Sequence, residues 1–88
     1  MNALVISDHA RWQAGRRGID EETIRKVARA PEQIVAVRQG REVRQSRIRF
    51  GTSGKLYLVR VIVDTSREEA TVVTVYRTSD PQRYWRDA

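Results

Sequence analysis

The chain contains no cysteine, so neither a disulfide nor a thiolate metal site is open to it. It has one histidine, His9, and a lone imidazole without thiols excludes the usual zinc ligand sets. No apolar run approaches the roughly 18 residues that cross a bilayer. The longest, Leu56–Val63, is interrupted by Arg60. Met1–Ile6 is too short and uncharged for a signal peptide, so a cytoplasmic protein with no membrane partner is expected. No glycine-rich phosphate loop and no Ser–His–Asp series can be traced. The carboxylates fall at helix and turn positions, not at metal-ligand spacing. An enzyme built from this inventory is expected to work without metal or cofactor.

What the chain has is positive charge. Seventeen Lys and Arg stand against eleven Asp and Glu, a formal net charge of +6. Between Arg38 and Arg60 lie Arg38, Arg41, Arg44, Arg47, Arg49, Lys55 and Arg60 against Glu42 alone, and the remainder of the chain is balanced. A local excess of this kind draws in polyanions. All but Lys26 and Lys55 of these cations are arginines, whose planar fork suits phosphate better than an ammonium does. Arg38, Arg41, Arg44, Arg47, Arg49 and Lys55 are therefore candidate RNA-binding residues. The competing role is a solvated basic sheet face. Eighty-eight residues with 40% hydrophobic content suit one globular domain spanning 1–88. Such a domain carries roughly 4–13 kcal/mol of net stability.

The pattern along the chain predicts an α+β fold. Ala3–Ile6 reads as a short strand. Ser7 or Asp8 can cap a helix opening at His9, with Gly18 as its stop. Asp20 caps a second helix, with Ile19 and Ile24 as a hydrophobic staple and Ile24, Val27 and Ala28 as the buried stripe. Pro31 ends it. Gln33–Val37, Glu42–Phe50, Lys55–Val63 and Ala70–Arg77 follow as strands separated by short turns, hence antiparallel neighbours. Arg47 and Arg49 share one face of their strand; Ile48 and Phe50 share the other. In Lys55–Val63, Tyr57, Val59, Val61 and Val63 oppose Leu56, Leu58, Arg60 and Ile62. Asp80 and Pro81 open a short tail helix carrying Tyr84 and Trp85. The two early helices are expected to cover one sheet face and leave the other partly open.

Four residues stand out as candidates for chemistry. Arg60 breaks an apolar strand face and must meet either a partner or a groove. It can grip phosphate, or pair with Glu42 or Asp64. Arg77, beside it on the next strand, would complete a two-arginine clamp on a scissile phosphate; alternatively it is a solvated strand end. His9 is a candidate general acid or base, or a local hydrogen-bonding residue. Tyr84, with Tyr57 and Tyr76, can stack on bases or donate protons, although packing is the expected duty of the latter two. Trp85 is a candidate core lid or partner contact.

Ile6-Ser7-Asp8-His9-Ala10-Arg11, the run to Arg17-Gly18-Ile19 and Pro31, and Thr74-Val75-Tyr76-Arg77-Thr78-Ser79 with Tyr84-Trp85 resemble a bacterial family of small, mostly uncharacterised domains near BrnT in the RelE/ParE toxin superfamily. Gln13 and Ala14 stand where that family often has Arg and Met. The resemblance implies a RelE-like fold: an N-terminal strand and two helices packed on an antiparallel sheet of about four strands, then a short C-terminal helix. It implies a type II toxin, held by a cognate antitoxin, that cuts RNA, often on the ribosome. Catalytic roles would fall to His9, Arg60, Arg77 and Tyr84. The 2′-hydroxyl would attack the adjacent phosphate and leave a 2′,3′-cyclic phosphate. Two alternatives stand beside this reading: a nucleic-acid-binding domain without catalysis, and a ParE-like toxin acting on a protein such as a topoisomerase.

Overall fold

A computed structural model describes residues 3–86. Three residues form strand β1, Leu4–Ile6, before the chain turns into α1, Asp8–Arg16. The Ser7 hydroxyl accepts a hydrogen bond from the Ala10 amide at 3.1 Å and caps that helix. Gly18, at φ +67°, takes the left-handed conformation that turns the chain toward α2, Glu21–Arg29. The Asp20 carboxylate accepts from the Thr23 amide at 2.8 Å and caps α2. Four strands then run as a meander: β2 Gln33–Arg38, β3 Arg41–Phe50, β4 Lys55–Asp64 and β5 Ala70–Thr78. A single helical turn, α3, Pro81–Tyr84, follows.

The sheet is mixed and has five strands, in the order β1-β5-β4-β3-β2. The expected antiparallel set of about four is therefore incomplete. β1 does not lie apart with the helices; it adds to the edge of β5 in parallel, Leu4 facing Ala70 and Ile6 facing Val72. The intervening helices supply the long connection that a parallel pair needs. No helix among the described residues is long and apolar enough to cross a membrane.

Alternation along the strands divides the sheet into two unlike faces. On one, Val59, Val61 and Val63 of β4 with Val72 and Val75 of β5 pack under Ala10, Ala14, Ile24, Val27 and Ala28 of the helices. This is the main core, and all ten are 3% exposed or less. The small alanines let α1 approach β5 closely. A register shift at Ile62/Val63 brings Val72, not Val73, opposite Val63 and so into this core. The other face carries Val43, Gln45, Arg47 and Arg49 of β3 beside Ile62, Arg60, Leu58 and Leu56 of β4. It is not bare. Residues 81–86 fold back over its middle, and Leu58 and Gln45 beneath are fully buried.

Candidate nucleic-acid interface

Arg60 sits on the face that α1 and α2 leave free, directly across from Gln45 on β3 and Tyr76 on β5. Its Nε donates to Gln45 Oε1 at 2.9 Å, and its Nη1 donates to Tyr76 Oη at 2.5 Å. The Tyr84 ring lies over the guanidinium, 4.3 Å from centroid to Cζ. Tyr76 and Tyr84 meet edge to face at 6.4 Å. Gln45 completes the arrangement by donating from Nε2 to Gln33 Oε1 at 2.8 Å and to the Tyr84 carbonyl at 3.2 Å. Gln33 in turn holds the Arg86 backbone at both its oxygen and its nitrogen. A chain of neutral amides thus orients a half-buried cation and ties the C-terminal segment above it.

The ion pair considered for Arg60 is absent among the described residues. Glu42 lies on the opposite face, across from Val63, where it accepts from Arg44 Nε at 2.8 Å. Asp64 spends its carboxylate on the Ser66 hydroxyl and amide. Those two bonds, with Arg41 and Arg67 nearby, hold Asp64 below the usual carboxylate range.

The two-arginine clamp does not form. Arg77 follows Tyr76 by one residue, so its side chain projects from the other face, opposite Val59. There its guanidinium lies over the rings of Phe50 and Tyr57 at 4.3 and 4.4 Å, and those rings pack edge to face. Arg77 also approaches Gly18: a Cβ on that residue would lie 3.6 Å from Nη2. His9 is likewise remote from Arg60. It lies exposed on α1, on the helix-covered side of the sheet, with its ring 6.1 Å from that of Trp12. Of the four catalytic candidates, only Arg60 and Tyr84 come together.

The basic stretch is similarly divided. Arg44 points under the helices and donates from Nη1 to the Ala28 carbonyl at 2.8 Å, satisfying the C-terminal end of α2. That role is structural, and it sets Arg44 on the face opposite Arg41, Arg47 and Arg49. Arg41, Arg47 and Arg49 lie on the open face; Arg49 donates to the Gly54 carbonyl at 2.9 Å. Lys55 starts β4 on the helix side, 5.6 Å from the Tyr57 ring. Arg38 is exposed at the irregular end of β2.

Arg47 is the most constrained of these cations. Glu32 accepts from its Nη2 at 2.9 Å and from its backbone amide at 2.6 Å, and Trp85 stacks on its guanidinium at 4.1 Å. The Arg47 side chain, then its amide, holds Glu32 below the ordinary value of 4.5. A lowered carboxylate contributes stability that is complete above its unfolded value and lost as pH falls through the folded one. Melting temperatures are therefore expected to hold down to about pH 4.5 and to fall below it. Glu32→Gln should weaken that acid dependence in thermal melts followed by circular dichroism between pH 7 and pH 3.

Gln45 and Tyr76, which orient Arg60, were not predicted to do so. Gln45 did carry a signal, because it shares the parity of buried Val43 and so is a polar residue in an inward-facing row. Among the described residues no cluster of three or more His, Cys, Asp or Glu could hold a metal ion. No curated protein and no solved structure matches the chain. A family model does match residues 6–77, from the end of β1 through Arg77 and short of α3, and the chain belongs to that family, DUF4258, a domain of unknown function.

Proposed function

We propose that this protein acts on RNA from the open sheet face, as a toxin-type endoribonuclease whose central group is Arg60. One observation carries the reading. A half-buried guanidinium in the central strand is held by a neutral amide and a phenol, with no carboxylate among the described residues to balance it. A partly desolvated cation without a counter-charge favours an anionic ligand. The net charge of +6 favours a polyanion. The resemblance to the RelE/ParE superfamily points the same way, toward an RNA target in the cytoplasm, on or off the ribosome, and an antitoxin as protein partner.

In this reading Arg60 binds a non-bridging phosphate oxygen and stabilises the charge that develops when the 2′-hydroxyl gives its proton to water, its oxygen bonds to phosphorus and the 5′-oxygen leaves. Tyr76 accepts from Arg60, which leaves its own O–H free. It is the group placed to deliver a proton to the departing 5′-oxygen. Tyr84 forms the roof. Arg77 and His9 take no part, because the sheet stands between them and Arg60.

The test uses end-labelled single-stranded RNA with the full chain. Fragments ending in 2′,3′-cyclic phosphate, lost in Arg60→Ala and Tyr76→Phe, are expected. Salt-sensitive binding without fragments would reduce the protein to a nucleic-acid-binding domain. Growth arrest on induction with neither binding nor cleavage of RNA would replace this reading with a protein target.

A further inference from the structure

Beside the Arg60 site, between α3 and the sheet, lies a cleft of about 760 Å³ lined by Arg47, Leu56, Asp80, Pro81, Gln82 and Trp85. Its floor belongs to the same face as Arg60, because Leu56 and Arg60 share parity on β4 and Arg47 lies opposite Leu58. Tyr84 covers Arg60 and the next residue, Trp85, covers Arg47. The cleft therefore adjoins the Arg60 site on the same face.

The wall chemistry is that of a nucleobase site. Trp85 and Arg47 form a stack of two flat groups at 4.1 Å, made rigid because Glu32 fixes the guanidinium. Bases stack on aromatic rings and on guanidinium planes alike. Leu56 and Pro81 supply apolar contact. The polar group is Asp80. It occupies the position preceding α3, where a side-chain cap is expected, yet its carboxylate makes no capping bond. Its backbone is held instead by its amide donating to Thr78 Oγ1 at 3.2 Å. No ion pair among the described residues uses this carboxylate. Two acceptor oxygens thus stand unengaged at the cleft of a strongly basic protein.

We infer that this cleft is a guanine-recognition pocket, with Asp80 as the specificity-determining residue and the Trp85–Arg47 stack as its platform. Guanine alone among the four RNA bases presents two adjacent N–H donors, N1 and N2, which match the two oxygens of one carboxylate. Adenine and cytosine set an acceptor nitrogen beside their amine, and uracil flanks its single N–H with carbonyls, so each meets the carboxylate with repulsion. A site built around paired donors rejects bases that lack them. The Gln82 amide is available to donate to guanine O6.

The inference rests on the RNA reading, and one set of titrations separates the two. Fluorescein-labelled hexauridylate, and the same strand carrying one guanosine or one inosine, are titrated with the full chain and followed by anisotropy. One guanosine should tighten binding about tenfold over uridine alone, and inosine, which lacks the N2 amine, should lose most of that gain. Asp80→Asn, an exposed substitution, should abolish the guanosine preference, while hexauridylate affinity should not fall, because the carboxylate opposes both uracil and the phosphates. Equal affinities for the three strands, or a preference that survives Asp80→Asn, would overturn the pocket. If hexauridylate binds and Arg60→Ala weakens it, the RNA reading stands whatever the base preference. If no strand binds, both fall.

Discussion

Arg60→Ala lowers affinity for single-stranded RNA roughly ten- to a hundredfold, the worth of a charge-assisted hydrogen bond to phosphate. Arg77→Ala leaves affinity within about twofold and lowers the melting temperature instead. The contrast follows from the register that sets Arg60 against Tyr76 and Arg77 against Val59. Arg77 is half-buried against two aromatic rings at 4.3 and 4.4 Å, so truncation removes packing and two cation–π contacts. That loss amounts to about 1–3 kcal/mol, or roughly 5–15 °C in a domain of this size. Truncating Arg60 releases Gln45 Oε1 and the Tyr76 hydroxyl from one bond each and removes the cation–π contact with Tyr84 at 4.3 Å, so it too costs about 1–3 kcal/mol, and RNA affinity is the readout that separates the two arginines. Arg60→Lys keeps the charge but not the fork and should fall between. Anisotropy titrations and thermal melts on the three variants check this. Equal losses of affinity at the two arginines would overturn a phosphate site confined to the Arg60 face.

Most of the fold was legible because its signals are local. Of the two caps open to α1, Ser7 and Asp8, Ser7 is the one used and the helix opens at Asp8; Asp20 caps α2 as expected, and Pro31 lies just past its end. The alternation in β4 placed Val59, Val61 and Val63 together, and they are the buried row. The fifth strand was missed as part of the sheet, because pairing between Leu4–Ile6 and Ala70–Val72 is a long-range choice that no local pattern encodes. The separation of Arg60 and Arg77 was within reach of the sequence. Arg77 shares the parity of Val75 and Arg60 that of Leu58, and Val75 belongs with the valine row under the helices. Adjacency of strands does not by itself put two side chains on one face; parity does. The division of the basic stretch has the same origin, since Arg44 and Arg47 differ by an odd number of residues and must face opposite ways. Nothing local could announce that residues 81–86 fold back over Arg60, because that segment is held by Gln33 and Gln45 through side chain-to-backbone bonds.

Gln45→Glu is the substitution that separates an arginine kept unpaired for a ligand from one that is merely packed. The amide oxygen already receives Arg60 Nε at 2.9 Å, so a carboxylate at this position becomes an ion-pair partner without moving the backbone. At neutral pH the pair cancels the charge that RNA phosphate needs, and affinity should fall about tenfold or more although Arg60 is present. The same change removes the Nε2 donor that reaches Gln33 and the Tyr84 carbonyl, so the C-terminal segment is also expected to loosen. Acid then distinguishes the two effects. Protonation of the introduced carboxyl restores a neutral group with a donor hydrogen, frees Arg60 and should recover much of the lost affinity as pH falls through its pKa. The unsubstituted chain is the control over the same interval: carboxylates common to both chains, Glu32 and Asp80 among them, protonate in each, so only the variant's additional recovery belongs to the new carboxyl. Hexauridylate suits the titration, since uracil does not ionise in that range. If Arg60 were only a packing residue, the new carboxylate would stabilise the face and leave RNA affinity alone at every pH, and that result would end the case for a phosphate site.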